Sequence, residues 1–322
     1  MAGRRARCVG VPEIWTVRLH FESRVQFGGA ARGAPLPSDR LYSTLCWGVH
    51  ECWGAGAVDE YSAACLRGTP PWLVSSAFPF VDGTAYVPKP LLPLPQAWIP
   101  HARSLKSTQW IPLEAFRDWI AGDAADGDSL VQASARVRTA LTEDIQPHVA
   151  LDRTNADPQL YHTDGLAFRP GSGLYFFVRV EDDAWSEFVR GALRVLADAG
   201  VGARRSAGLG HFRAEVLSAP PECRNWGAAP PGAWCLLSRL SPHPESAGAL
   251  LAGATFGVTE VGGWVSDAQV RRRRVRLLTE GSVFRQWDPG RWVPVHPPGW
   301  DGHPVYRGGF SFPVPLSEGV LA

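Results

Sequence analysis

Between Gly200 and Phe212 the chain reads Gly-Val-Gly-Ala-Arg-Arg-Ser-Ala-Gly-Leu-Gly-His-Phe. Glycines let backbone come close to a ligand and turn several N–H groups into one concavity, and Arg204, Arg205 and Ser206 add charge-assisted donors, a set suited to phosphate. The tract has no Gly-Lys-Ser/Thr and precedes a strand rather than opening a helix, which excludes the P-loop and dinucleotide fingerprints. A long structural connection between a helix and a strand would read the same way. A second basic feature is Arg271-Arg-Arg-Arg-Val-Arg276. So many like charges cannot be buried unpaired; they face solvent, protect a sheet edge or meet a polyanion. Alternation along a strand would set Arg272, Arg274 and Arg276 on one face and Arg271 and Arg273 on the other.

Other chemistry is sparse. The nine histidines form no His-Glu-x-x-His or His-x-His group, so no metal-hydrolase ligand set is visible. His20 and His211 could serve as general acid and base in metal-free RNA cleavage, or be one surface and one packed histidine. Glu181-Asp182-Asp183 suits a helix N-terminus, where the dipole favours carboxylates. Trp98, Trp110 and Tyr161, if on exposed loops, could stack on unpaired bases. Six cysteines, none in a Cys-x-x-Cys pair, read as reduced and mostly buried thiols.

Elements must hold these groups in place. Trp15 to Phe21 alternates like a half-buried strand. Ser38-Asp39 offers a helix N-cap ahead of an apolar stripe at Leu41, Leu45, Val49 and Trp53, stopped by Gly54 and Gly56. After a short helical piece ending at Arg67-Gly68, Trp72 to Phe78 and Phe80 to Val87 read as strands, the second turning at Asp82-Gly83. The pattern weakens from Pro88 to about Gly173, where we expect a helix with Pro112 in its first turn and Gly122 past its end, and a second hairpin at Asp164-Gly165. Leu174 to Glu181 is a strand, Trp185 to Leu196 an amphipathic helix, and His211 to Leu217 a strand. The order strand-helix-strand-strand-helix-strand is the ferredoxin-like one, spanning roughly 10 to 218 with an insertion. Ser218-Ala-Pro-Pro-Glu222 marks a boundary, beyond which Trp234 to Leu240, Arg274 to Leu278 and Val305 to Phe312 suggest a smaller β-rich unit.

The whole suits an ordinary globular protein: 322 residues, 45% apolar, 20% charged, with 32 basic residues against 31 acidic. Of the basic residues only Lys89 and Lys106 are lysines, a bias that genomic composition or a preference for planar, phosphate-binding guanidinium would produce. Near-neutrality argues against free, non-specific nucleic-acid binding. No stretch approaches the roughly 18 apolar residues of a membrane span, and Pro12, Glu13 and Arg18 interrupt any secretory signal, so we expect a cytoplasmic protein.

Eight tracts in order carry a family resemblance: Ser38-Asp-Arg-Leu-Tyr-Ser-Thr-Leu-Cys46, Ser75-Ser-Ala-Phe-Pro-Phe80, Tyr86-Val-Pro-Lys-Pro90, Ile111-Pro-Leu-Glu-Ala-Phe116, Gly173-Leu-Tyr-Phe-Phe177, Arg205-Ser-Ala-Gly-Leu-Gly-His-Phe212, Arg274 to Phe284, and His303-Pro-Val-Tyr-Arg-Gly-Gly-Phe310. Nearly the whole chain resembles the type III-A CRISPR Csm complex subunit that caps the guide RNA at its five-prime tag, a member of the repeat-associated mysterious protein (RAMP) superfamily. The resemblance implies an α+β fold of two ferredoxin-like (RRM-like) RAMP modules in tandem, residues 1–218 and 219–322, with a Gly-rich loop and a thumb-like insertion at about 96–168. It implies no catalysis and no cofactor or metal. The implied partners are the crRNA five-prime tag, the large polymerase-cyclase-like subunit, the Csm backbone subunit and, near the thumb, the duplex with target RNA, with no membrane. Carried over by position, the tag-binding residues are Gly28, Gly29, Ser38, Arg40, Lys89, Arg204, Arg205, Ser206, Gly208 and Gly210, and the duplex-facing ones Arg136, Arg138 and Arg153. The family usually has a long polar residue where this chain has Arg40, and a second Ser where it has Ala207. The alternatives are a metal-free RAMP endoribonuclease that processes CRISPR repeat RNA, or the equivalent five-prime-end subunit of another type III complex.

Overall fold

The computed structural model describes residues 12–27, 35–123, 127–151, 158–265 and 270–321. It is a mixed α and β protein. Strand β1 (Glu13–Phe21) alternates as its sequence dictates, with Trp15, Val17 and Leu19 buried on one face. Helices α1 (Ser38–Trp53) and α2 (Ala55–Leu66) follow. Next come β2 (Trp72–Val74), β3 (Phe78–Val81) and β4 (Thr84–Pro88). Positive φ at both Asp82 and Gly83 makes the tight β3–β4 turn that this dipeptide favours.

The region that reads as irregular is largely structured. It holds α3 (Ala102–Lys106), β5 (Trp110–Pro112), α4 (Leu113–Ala121), α5 (Gly127–Ala140) and a long hairpin, β6 (Leu141–Leu151) with β7 (Pro158–Phe168). Pro112 is the N-cap of α4, and Gly122 closes it in the left-handed conformation. Trp98, Leu105, Phe116 and Trp119 are buried here, so Trp98 is core and not a stacking surface. The hairpin expected at Asp164-Gly165 does not form. Both residues lie inside β7, opposite Ile145 and Asp144. Gly165 lies beside Arg24 and Val25, where an added Cβ would make only ordinary contact, 3.5 Å from the Val25 carbonyl oxygen.

Strand β8 (Ser172–Val180) is buried along its full length, and α6 (Ser186–Ala199) and β9 (Phe212–Ser218) complete this part. The central sheet runs β5-β4-β3-β8-β1-β9, with β2 also on β8, so the fourth, first, third and second strands of the expected unit lie side by side, all antiparallel. Helices α1 and α6 cover the face built from Val17, Leu19, Phe176 and Val178.

The remaining elements are short: β10 (Trp234–Leu236), α7 (Ala247–Leu251), β11 (Val258–Val261), β12 (Val275–Leu278), β13 (Val283–Phe284), β14 (Gly290–Pro294), β15 (Tyr306–Phe310) and β16 (Pro313–Pro315). They pair as β13-β10-β16, β11-β12 and β14-β15. Trp234, Leu236, Leu240, Leu250, Leu278 and Phe284 form a core of their own. A larger cluster crosses the expected boundary, joining Ile14, Phe78 and Phe177 to Cys235, Leu237 and Phe312.

The crossing point explains why Trp72 to Phe78 is two strands. Ser75 N–H still donates to the Phe177 carbonyl of β8 (3.0 Å), but Ser76 N–H donates to the Leu237 carbonyl (2.8 Å) and Ala77 N–H to that of Leu36 (2.8 Å). An ionic cluster sits beside this break. Asp39, fully buried, accepts from Arg239 (3.1 Å) and from Arg307, and Glu280 lies 3.7 Å from Arg239 while accepting from the Ser76 hydroxyl. Ser38 and Asp39 thus do not cap α1, whose N-cap is Pro37. They fasten it to β15 and to the segments around Arg239 and Glu280.

Burial pushes the Glu280 carboxyl above its ordinary value, against the opposing pull of Arg239 and Ser76. Between the ordinary and the raised value the folded state binds the extra proton, so this group adds stability as pH falls through that window and loses it as pH rises. We expect urea unfolding of Glu280→Gln to show a smaller gain than the parent as pH falls toward the ordinary carboxylate range. Identical pH dependence in the two proteins would contradict this.

Among the described residues Cys65, Cys223 and Cys235 are buried, Cys46 is partly buried and Cys52 is exposed. Burial raises the Cys46 and Cys223 thiols to about 12. No described helix is long and apolar enough to cross a membrane.

Candidate nucleic-acid interface

The glycine loop joins the end of α6 to β9. Gly200, Gly202, Gly208 and Gly210 all take positive φ, and so does Arg204, at 57°. Val201 N–H donates to the Gly210 carbonyl (3.0 Å), closing the neck, while Arg205 to Ala207 form one turn of 3-10 helix at the tip. Arg204, Ser206 and Gly208 are exposed. The Arg205 guanidinium lies over the Trp47 indole, 4.3 Å from the ring centre. Trp47, Asp198, Ala199, Arg205, Ser206 and His211 line a cleft of about 490 Å³.

A strip of backbone, residues 24–27, ties this loop to the long hairpin. On one side Gly210 N–H donates to the Arg24 carbonyl (2.9 Å) and Ala203 N–H to that of Gln26 (2.8 Å). On the other, Val25 and Leu166 exchange backbone hydrogen bonds (2.9 and 2.7 Å), Gln26 donates to Asp164 (2.8 Å) and Arg24 pairs with Asp144 (3.5 Å). The loop, the strip and the hairpin base therefore form one continuous surface. Farther out, Ile145, Val149 and Leu160 of the hairpin are more than half exposed.

The carried-over residues divide by position. Arg204, Arg205, Ser206, Gly208 and Gly210 share the loop. Arg40 donates to the Phe27 carbonyl, at the end of the strip, and burial lowers its pKa. Ser38 does not face the loop: it is fully buried, and its hydroxyl accepts from the Arg239 backbone N–H (2.8 Å). Lys89 donates to the Leu105 carbonyl (2.6 Å), with its pKa lowered by burial, away from the cleft lining. Arg136 and Arg138 are exposed on α5, which leads into the hairpin. Gly28, Gly29 and Arg153 lie outside the described residues.

His20 is not in the cleft. It lies 3.2 Å from Glu215 across β1 and β9, edge-on to Phe80 on the sheet face away from the helices, whereas His211 lines the cleft. The arginine run does not alternate as a strand, because β12 begins only at Val275. Arg271 lies over Trp264, Arg274 pairs with Glu260 (2.9 Å), and Arg272 is half-buried near Arg307, its pKa lowered by desolvation. Sequence reasoning missed Trp47 and Asp198. Trp47 carried a signal, being a large apolar residue off the Leu41, Leu45, Val49 stripe; Asp198 carried one too, as an acid in the last turn of α6, where the helix dipole disfavours it.

Comparison with known proteins bears on this surface. Residues 231–316 match the CRISPR Csm4 C-terminal domain model, and residues 83–196 match the model of the CRISPR-associated protein Cmr3. A protein of Thermococcus onnurineus (strain NA1), "CRISPR system Cms protein Csm4", is 25% identical over 303 residues, which cover 88% of this chain and 93% of that one. Over most of its length the chain is similar to Csm4. Solved Csm4-containing structures share its fold. The Csm3–Csm4 subcomplex of the type III-A CRISPR-Cas interference complex superposes with a TM-score of 0.65 at 14% identity, covering 95% of this chain and 99% of the other. The Csm1–Csm4 cassette with pppApA gives 0.60 at 20%, covering 95% and 98%. The matched Csm4 C-terminal domain holds Arg239 and Arg307, the two guanidinium groups that grip Asp39 of α1.

Proposed function

We propose that this chain is the subunit of a type III-A CRISPR Csm effector complex that seats the five-prime tag of crRNA and joins the large polymerase-cyclase-like subunit to the backbone subunit, in cytoplasmic antiviral defence. The observation that carries the reading is the glycine loop, with exposed Arg204, Ser206 and Gly208 at its tip and Arg205 stacked on Trp47, fused through residues 24–27 to the base of a projecting hairpin. Backbone N–H groups and guanidinium suit phosphates, and flat cationic and aromatic faces suit unpaired bases. The Csm1 and Csm3 partners of the matched Csm4 structures support the linking role. In this reading the sheet order β9-β1-β8-β3 is that of a first ferredoxin-like RAMP module, residues 219–322 form the second, and the hairpin is the thumb, with Arg136 and Arg138 toward the guide–target duplex.

The subunit holds RNA without cutting it. Arg204→Ala combined with Arg205→Ala should weaken assembly on guide RNA and lower the slope of log affinity against log salt by about 1.4, the value for two lost single-strand phosphate contacts. Unchanged filter binding and assembly would remove the loop from the interface. The placement of His211 in the cleft keeps the nuclease reading testable. Repeat RNA incubated with the protein in EDTA should stay intact; specific cleavage lost in His211→Ala would establish a metal-free nuclease instead.

A further inference from the structure

The cleft beside the glycine loop contains a group that a phosphate site should not have. Asp198 is exposed in the last turn of α6, where the helix dipole opposes a carboxylate and where the turn itself holds no basic residue. It lines the same cleft as Arg205, Ser206 and His211. A carboxylate repels the backbone of RNA but accepts from N–H donors. Opposed local rules of this kind mark functional positions more often than structural ones.

The cleft walls indicate which donors. One face of the Arg205 guanidinium rests on Trp47, leaving a flat cationic surface of the sort on which nucleobases stack. About 490 Å³ falls in the range of sites for small organic groups. Among the bases, guanine alone has two donors side by side on its Watson–Crick edge, N1–H and N2–H₂, matching the two oxygens of a carboxylate. Cytosine and adenine offer one amino group beside a ring acceptor, and uracil flanks its single N–H with two carbonyls. Ser206 and His211 can serve the O6 and N7 side.

We propose that this cleft receives one unstacked guanine of single-stranded RNA, stacked on Arg205 and held along its edge by Asp198. The proposal rests on the glycine loop being an RNA site and adds base selectivity to it. The test uses the full-length chain and short single-stranded RNAs of uridine, with a single guanosine, inosine or no replacement, measured by fluorescence anisotropy. The guanosine strand should bind about tenfold or more tightly than the all-uridine strand, with inosine, which lacks the N2 amino group, in between. In Asp198→Ala the guanosine-to-uridine ratio should collapse to about one. Equal affinities in the parent, combined with binding that still depends on Arg204 and Arg205, would overturn the base reading alone. Tighter binding of every strand by Asp198→Ala would also overturn it, showing that the carboxylate merely repels phosphate. Binding indifferent to the double arginine replacement would instead overturn the site itself.

Discussion

Asp39→Ala should destabilise the protein by about 3–5 kcal/mol, the range measured when one partner of a buried ion pair is removed. Arg239 and Arg307 are almost wholly out of solvent, and both direct a guanidinium at this one carboxylate. Glu280, 3.7 Å from Arg239, is a single carboxyl that burial disfavours in its charged form, so it cannot neutralise both. Removing Asp39 therefore leaves an uncompensated positive charge at the junction of α1, β15 and the Arg239 segment. The check is the urea midpoint and slope of the variant against the parent. Replacing Asp39, Glu280, Arg239 and Arg307 together by apolar residues of similar size should cost less than Asp39→Ala alone, because the two guanidinium groups are removed along with their partner. A single variant within about 1 kcal/mol of the parent would show that the cluster is hydrated or dispensable.

Gly210→Ala should abolish most RNA affinity without touching a charged residue. Its φ of 79° is left-handed, and a Cβ there would stand 2.0 Å from the Val201 carbonyl oxygen. Backbone strain alone costs about 1–3 kcal/mol, and the clash has no flexible side chain to absorb it. The loop must open at its neck, which breaks the Gly210 N–H bond to Arg24 and parts the loop from the strip leading to the hairpin. A loss of at least about tenfold in affinity is expected, since two or more phosphate contacts depend on that frame. Gly208→Ala supplies the contrast: the same φ, but nothing within 4 Å. It should be milder in stability, so a comparable loss of affinity there would report RNA backbone lying directly against the tip. If Gly210→Ala binds RNA like the parent, the rigid loop is not what grips it.

Much of the first unit was legible because its signals are local. The alternation of Trp15 to Phe21, the four-residue stripe of α1 and the amphipathic α6 each depend on one element meeting one sheet face. Asp82-Gly83 was readable for the same reason, a turn being set by two residues. The errors arose where a distant segment decided the outcome. Asp164-Gly165 carries the same turn letters but lies beside residues 24–26. Ser38 and Asp39 have the letters of a cap, yet their partners lie some 200 residues downstream. Ser75 to Ala77 looks like continuous strand until Leu237 and Leu36 claim the N–H groups of Ser76 and Ala77. The cleft was half visible: the loop announces itself, but Trp47 joins it only through the packing of α1 on α6.

The break at Ser75-Ser76-Ala77 has a consequence for synthesis. The Ser76 amide, the Asp39 carboxylate and one side of the Phe78–Phe177 layer find their partners only in residues after 230. A growing polypeptide thus reaches more than two thirds of its length on the ribosome with every strand of its central sheet made but Asp39 without its two guanidinium partners. Closure arrives with the last segments to emerge, and a chain ended before Arg239 lacks both groups that neutralise Asp39.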